Sequence, residues 1–146
     1  MRRAAIITMT LISGLSVMQV AHGADPRDVQ RLLTTGQCER CNLVGADLHN
    51  ANLRDAKLKE SNLEAANLKG ANLQGANFKR ANLRYANFKG AIIQDTDFSE
   101  ANLQGAMIDY QELDRGDAKV CNAIMPNGVK KSTNFEGFMG FGGCRN

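Results

Sequence analysis

Apolar residues recur at every fifth position through the middle of the chain, from residue 41 to residue 110. Each of the fourteen units in this stretch carries Leu, Phe or Ile at its centre and a small residue, usually Ala, two positions earlier. The centres are Leu43, Leu48, Leu53, Leu58, Leu63, Leu68, Leu73, Phe78, Leu83, Phe88, Ile93, Phe98, Leu103 and Ile108. Because no gap or insertion interrupts the series, an internal repeat determines the architecture.

A period of five fits neither an α-helix nor a flat strand. On a helix, five residues turn the side chain by about 500°, so the centres would spiral around the axis. On a flat strand, an odd period would place successive centres on opposite faces. If the chain turns a corner once per unit, the centre and the small residue both point inward every time. The sequence therefore predicts a solenoid with one short side per unit.

The units resemble those of the pentapeptide repeat proteins, which read A-[ND]-L-x-x, as in Ala66-Asn67-Leu68-Lys69-Gly70. The resemblance covers 70 of the 146 residues. It implies an all-β fold, a right-handed quadrilateral β-helix with about 20 residues per coil and about 3.5 coils. The interior of such a solenoid is filled by its own Leu, Phe and Ala side chains, so we expect no cofactor site inside it.

Stacking of the coils predicts columns of residues that lie 20 positions apart in the sequence. One column alternates in charge through Glu60, Arg80 and Glu100, which favours attraction between neighbouring coils. Phe78 and Phe98 share a column in the core. A further column contains only asparagines, whose amides can form a ladder: Asn42, Asn62, Asn82 and Asn102.

The first 23 residues differ in composition from the repeats. A basic start at residues 1–3 precedes an apolar stretch at residues 4–20, and small residues follow at Ala21 and Gly23. This order is typical of a secretory signal peptide, with cleavage after Gly23 or Ala24. A retained membrane anchor is the alternative, but a spanning helix needs roughly 20 strongly apolar residues. We expect an exported protein, periplasmic or secreted, or located in the thylakoid lumen if the source is photosynthetic.

The segments on either side of the repeats are expected to cap the solenoid. Residues 24–40 contain a helix candidate in which Asp25 can cap the start, Val29, Leu32 and Leu33 form an apolar stripe, and Gly36 ends the helix. Residues 111–146 form an irregular C-terminal cap in this interpretation, and the β-helix spans residues 41–110. Caps of this kind cover the unpaired backbone at the ends of a solenoid.

The overall charge bears on the choice of partner. The sequence has 18 basic and 15 acidic side chains, and removal of residues 1–23 leaves 16 basic ones. Near-neutrality argues against nucleic acid, which needs a concentrated basic footprint. Some pentapeptide repeat proteins resemble DNA in shape and negative charge and act on topoisomerases in the cytoplasm. A DNA mimic of this kind is a third interpretation, which would require retention in the cytoplasm and an acidic surface that this sequence lacks. An acid-free run from Lys69 to Gln94 has two interpretations, an ordinary solvated surface or a site for an anionic partner.

Four cysteines lie beyond the signal segment: Cys38, Cys41, Cys121 and Cys144. Export favours disulfides. Of the three possible connectivities we favour the local pairs, Cys38 with Cys41 and Cys121 with Cys144. Pairing across the ends would have to span about 17 Å of solenoid, whereas bridged Cα atoms lie under roughly 7 Å apart, unless the tail folds back.

The spacing of Cys38 and Cys41 is also that of a thiol redox motif, which provides the alternative function. A working motif of this kind begins a helix, whereas this pair follows one, and Cys41 occupies an inward position. His49, the only histidine beyond the signal segment, has no companion ligands for a metal. We therefore predict a protein without catalytic, cofactor or metal sites. It binds an unknown partner protein or acts as a scaffold, and it binds neither nucleic acid nor, after signal cleavage, a membrane.

Overall fold

The computed structural model describes residues 23–115 and 118–131. Two helices, α1 (Pro26–Thr35) and α2 (Tyr110–Arg115), accompany a β-helix built from single-residue parallel bridges. The bridges join residues 20 positions apart, from Gln37 with Lys57 to Asn87 with Met107, so four units complete one coil. The predicted signal segment lies outside the described residues apart from Gly23 and stays a prediction. Within the described residues, no helix is both long enough and apolar enough to cross a membrane.

The last residue of each unit turns the corner. At every fifth residue from Arg40 to Gly105, φ lies between 54° and 71°, the left-handed region. Glycine occupies five of these fourteen corners. Other residue types adopt this conformation at a cost of roughly 1–2 kcal/mol each. The residue before the centre also helps the turn: the Oδ1 atom of Asn72, for example, accepts a hydrogen bond of 3.1 Å from the backbone N–H of Gln74.

The core is a continuous column of inward side chains. Thirteen of the fourteen predicted centres are buried, and Ile108 is partly buried. The rings of Phe78 and Phe98 stack with centroids 5.5 Å apart, and Phe88 meets both rings edge-on. These side chains fill the interior as the repeat pattern implies.

The β-helix starts one unit before the predicted boundary at residue 41. Residues 36–40 form an additional side in which Gln37 bridges Lys57 and Cys38 is fully buried. The pattern hides this side because Gly36 and Cys38 stand where the repeat has Ala and Leu. The boundary predicted from the sequence is therefore wrong at this end.

The β-helix also continues beyond residue 110, into the segment predicted as an irregular cap. Lys119 bridges Asp97, and Ile124 bridges Asn102. The interval widens here to 22 residues because α2 takes the place of one side. The phase shift and the absence of Leu conceal these two sides in the sequence. Antiparallel pairing of Ile124 with Lys130 then closes the edge.

Helix α1 lies at the N-terminal end of the solenoid. The carboxylate of Asp25 caps it by accepting a hydrogen bond of 2.9 Å from the N–H of Arg27, and Gly36 ends it with φ of 67°. Leu32 is buried and Val29 packs against the core, but Leu33 is 52% exposed. Including Leu33 in the apolar stripe was wrong, because one residue turns the side chain by about 100° around a helix.

Candidate functional site

Four outer faces surround the filled interior, and they are named here in chain order. Face A comprises residues 36–40, 56–60, 76–80 and 96–100, and face B comprises residues 41–45, 61–65, 81–85 and 101–105. Face C comprises residues 46–50, 66–70, 86–90 and 106–109, and face D comprises residues 51–55, 71–75 and 91–95. Face A therefore lies opposite face C.

The first cysteine pair forms a disulfide at the corner between faces A and B. Cys38 and Cys41 are bonded, with Cα atoms 5.3 Å apart, and both are buried. Helix α1 covers the bridge: the Nη2 atom of Arg31 lies 2.8 Å from the Cys41 sulfur and 2.8 Å from Oδ1 of Asp28. The other oxygen of Asp28 accepts a hydrogen bond from the N–H of Asn42. The helix is thus fastened to the first coil around the disulfide.

A buried hydroxyl group completes this corner. At other corners the small residue donates its N–H to the centre three residues earlier, as Ala46 does to Leu43 at 3.0 Å. Between Cys41 and Cys38 the Ser61 hydroxyl takes over this role. It accepts from the N–H of Cys41 at 3.1 Å and donates to the carbonyl of Cys38. Ser61 therefore stands where the repeat usually has Ala because the disulfide corner needs a relay.

The cluster of Asp28, Cys38 and Cys41 does not fit a metal ion, although its potential ligand atoms lie within 4.8 Å of one another. The two sulfurs are bonded to each other, and both carboxylate oxygens already accept hydrogen bonds. The positive charge of Arg31 beside them also opposes a cation, which needs deprotonated and unpaired ligands.

The other predicted site residues lie apart from this cluster. Cys121, on the side that stacks over face A, is also disulfide-bonded. Cys144 lies outside the described residues, so its pairing with Cys121 stays a prediction. His49 is exposed on face C, where Nδ1 lies 2.8 Å from Oδ1 of Asp47. This hydrogen bond lowers the pKa of the Asp47 carboxyl group. No ligand set forms around His49 in the described part of the chain.

A ladder of alternating charge follows the corner between faces A and B. Arg40 contacts Glu60 at 2.8 Å, and Arg80 contacts Glu100 at 2.7 Å and Glu60 at 3.8 Å. Hydrogen bonds from the two arginines lower the pKa of both glutamates. The sequence predicted the alternation of Glu60, Arg80 and Glu100. It missed Arg40 because residues 36–40 were not recognised as a side of the β-helix.

Sequence reasoning also missed the roles of Arg31 and Ser61. The signal for Arg31 was its spacing of three from Asp28, which places both on one side of a helix. The signal for Ser61 was its departure from Ala at an inward position. Neither signal reveals its partner, because both contacts reach across 10 or more residues to the disulfide.

Comparison with solved structures finds other pentapeptide repeat proteins. HetL of the cyanobacterium Nostoc sp. strain PCC 7120, involved in heterocyst differentiation regulation, is 35% identical over 61% of this chain and 40% of its own, with a TM-score of 0.43. A pentapeptide repeat protein of the Arabidopsis thaliana thylakoid lumen is 30% identical over 62% of this chain and 66% of its own, with a TM-score of 0.28. This chain thus spans less than half the length of HetL.

A third solved structure is more distant in sequence. QnrB1, a plasmid-mediated fluoroquinolone resistance protein, is 14% identical over 66% of this chain and 58% of its own, with a TM-score of 0.35. No curated protein matches the chain. The family profile of the pentapeptide repeat region matches residues 32–108, more than half of the sequence. The chain therefore belongs to the pentapeptide repeat family.

Proposed function

We propose that this chain is an exported, non-enzymatic interaction module whose outer faces bind a partner protein or serve as a scaffold. The partner is neither nucleic acid nor a membrane. One observation carries the proposal: side chains of the repeats fill the interior, with thirteen centres buried and the Phe rings stacked. Recognition must therefore take place on the outer faces. Pentapeptide repeat proteins are generally structural or interaction modules, which supports the same conclusion.

The outer faces suit recognition because they are held in place before a partner arrives. Backbone bridges connect each coil to the next, and the residue before the centre is tied into the turn at most units. The A/B corner is additionally fixed by its ion pairs. A pre-ordered surface loses little conformational entropy on binding, which is how rigid scaffolds gain affinity.

Cell fractionation followed by cross-linking mass spectrometry tests this proposal. We expect the mature protein to begin at Ala24 or Asp25 and to occur outside the cytoplasm. Cross-links from outward lysines should reach one reproducible partner protein. Variants that reverse charge on one face at a time identify the face that is used. Recovery of the uncleaved chain from the cytoplasm, or cross-links within this chain alone, would refute the proposal.

The second candidate function is thiol–disulfide exchange at Cys38 and Cys41. The observation that favours it is the guanidinium of Arg31 beside the Cys41 sulfur, since a neighbouring cation stabilises a thiolate. Burial of both cysteines opposes it, because an attacking thiolate needs access. Alkylation before and after mild reduction separates the two functions. A bridge that resists mild reductant supports the interaction module, and ready exchange with a redox buffer supports catalysis.

A further inference from the structure

Tyr85 turns the corner between faces B and C and places an aromatic side chain there. It is the only aromatic residue among the described non-glycine residues with positive φ, and its own φ is 58°. The repeat requires this φ at the last residue of every unit, so what distinguishes the position is the aromatic side chain that it carries. The side chain of Tyr85 is also 51% exposed. Ala65 and Gly105 occupy the same corner one coil below and one coil above.

The ring of Tyr85 rests against the glycine of the next coil. A Cβ atom added at Gly105 would come within 2.5 Å of the ring. The Tyr85 ring in turn holds Arg84, whose guanidinium carbon lies 5.2 Å from the ring centroid. Nη2 of Arg84 donates to the Tyr85 hydroxyl at 3.3 Å. The two side chains therefore form one supported unit at the corner.

Arg84 does not pair with Glu64, the acidic residue that stacks one coil below it. Glu64 precedes it by 20 residues, the interval at which Arg80 pairs with Glu60 and Glu100. Glu64 instead accepts a hydrogen bond of 3.2 Å from the amide of Asn82. Within the described residues Arg84 forms no ion pair, and its buried Nε atom donates no hydrogen bond. The guanidinium thus retains unused donors.

Face C, which begins at this corner, adds two more cations. Lys69 and Lys89 stack one coil apart and form no ion pair in the described part of the chain. The acids of face C are used locally: Asp47 bonds to His49, and Oδ1 of Asp109 accepts from the N–H of Gln111. Both lysines lie at the far end of face C from Tyr85, and Lys89 lines one surface hollow with Asp109 and Glu112. The acid-free run thus places one unpaired cation, Arg84, at this corner and two on the adjoining face.

We propose that the Arg84–Tyr85 corner is the anchor for an Asp or Glu carboxylate in an acidic segment of the partner protein. This inference rests on the proposed function and names its partner chemistry. The guanidinium fork matches a carboxylate through two parallel hydrogen bonds. Because Nε is buried, a contact through it needs a turn of the Arg84 side chain, which replaces the 3.3 Å hydrogen bond from Nη2 to the Tyr85 hydroxyl with two charge-assisted bonds to the carboxylate. Tyr and Arg are also, with Trp, the residue types enriched among the residues that contribute most to binding at protein interfaces.

Fluorescence anisotropy with labelled poly-L-glutamate tests the anchor, with heparin and phosphatidylglycerol vesicles as competing probes. Arg84→Gln and Arg84→Lys should each weaken binding of poly-L-glutamate about tenfold, because a lysine retains the charge but not the fork. Tyr85→Gly should weaken it by a similar factor while the protein stays folded, since glycine suits positive φ. Lys57→Gln, an equal loss of charge on face A and away from the corner between faces B and C, is the control and should change binding less than twofold.

Each outcome decides the inference. Equal losses for Arg84→Gln and Lys57→Gln mean diffuse attraction and overturn it, as does undetectable binding of poly-L-glutamate. Binding of heparin or vesicles in preference to poly-L-glutamate assigns the corner to sulfate or phosphate groups instead, which also overturns it. If cross-linking finds a partner protein on another face, the proposed function stands and this anchor fails. Absence of any partner protein defeats the proposed function itself.

Discussion

Replacement of Ser61 by Ala tests whether the hydroxyl relay at the disulfide corner stabilises the fold. Ser61 is 1% exposed, and its hydroxyl connects the N–H of Cys41 with the carbonyl of Cys38. The substitution removes the hydroxyl and leaves the N–H of Cys41 and the carbonyl of Cys38 without a hydrogen-bond partner. Each unsatisfied group costs about 1–3 kcal/mol, and partial closure of the corner can restore a direct bond between them. We therefore expect Ser61→Ala to lower the free energy of unfolding by about 2 kcal/mol.

Thr96 offers a matched control. Its hydroxyl donates to the carbonyl of Leu73 at 2.9 Å from an equally buried inward position. There the N–H of Ala76 already donates to the same carbonyl at 2.8 Å, so the hydroxyl is an additional donor. Thr96→Val therefore leaves no acceptor unpaired and should cost only about 1 kcal/mol.

Urea unfolding of the oxidised proteins, followed by far-UV circular dichroism, measures both costs. The same Ser61→Ala substitution in a background without Cys38 and Cys41 completes a double-mutant cycle. If the relay exists because of the disulfide, the cost of Ser61→Ala should fall to that of Thr96→Val in this background. Equal costs for Ser61→Ala in both backgrounds, or a cost below that of Thr96→Val in the oxidised protein, would refute the reasoning.

Three further predictions concern the corners, the charge ladder and the core. Ala65→Gly should stabilise the fold by about 1 kcal/mol, because Ala65 has φ of 56°, whereas Ala66→Gly should destabilise it, as urea unfolding will show. Glu60 has a lowered pKa in the folded protein, so the stabilisation it provides is complete above its unfolded pKa of about 4.3 and is lost as the pH falls further. The difference in melting temperature between the wild type and Glu60→Gln should therefore vanish in acid. A difference that persists in acid would contradict this prediction. Phe98→Ala should cost about 3–5 kcal/mol in urea unfolding, and a cost below 1 kcal/mol would contradict tight stacking on Phe78.

The sequence by itself determined the repeat and its consequences. The period of five fixes which residues point inward, because each unit turns its own corner with its own last residue. From that local rule follow the stacking interval, the aromatic column of Phe78 and Phe98, and the alternation of Glu60, Arg80 and Glu100. The helix α1 was equally legible from Asp25 to Gly36, since its cap and its end are local signals.

Only the tertiary structure decided where the coils begin and end and which polar groups meet. The sides at residues 36–40 and 118–127 form because they pair with the neighbouring complete coils, and their own sequences do not show the repeat pattern. Ser61 and Arg31 acquire their roles from the disulfide that lies next to them in space. Arg84 turns to Tyr85 while Glu64 is held by Asn82. Such choices depend on competition among neighbours from several coils, and a local pattern contains no information about that competition.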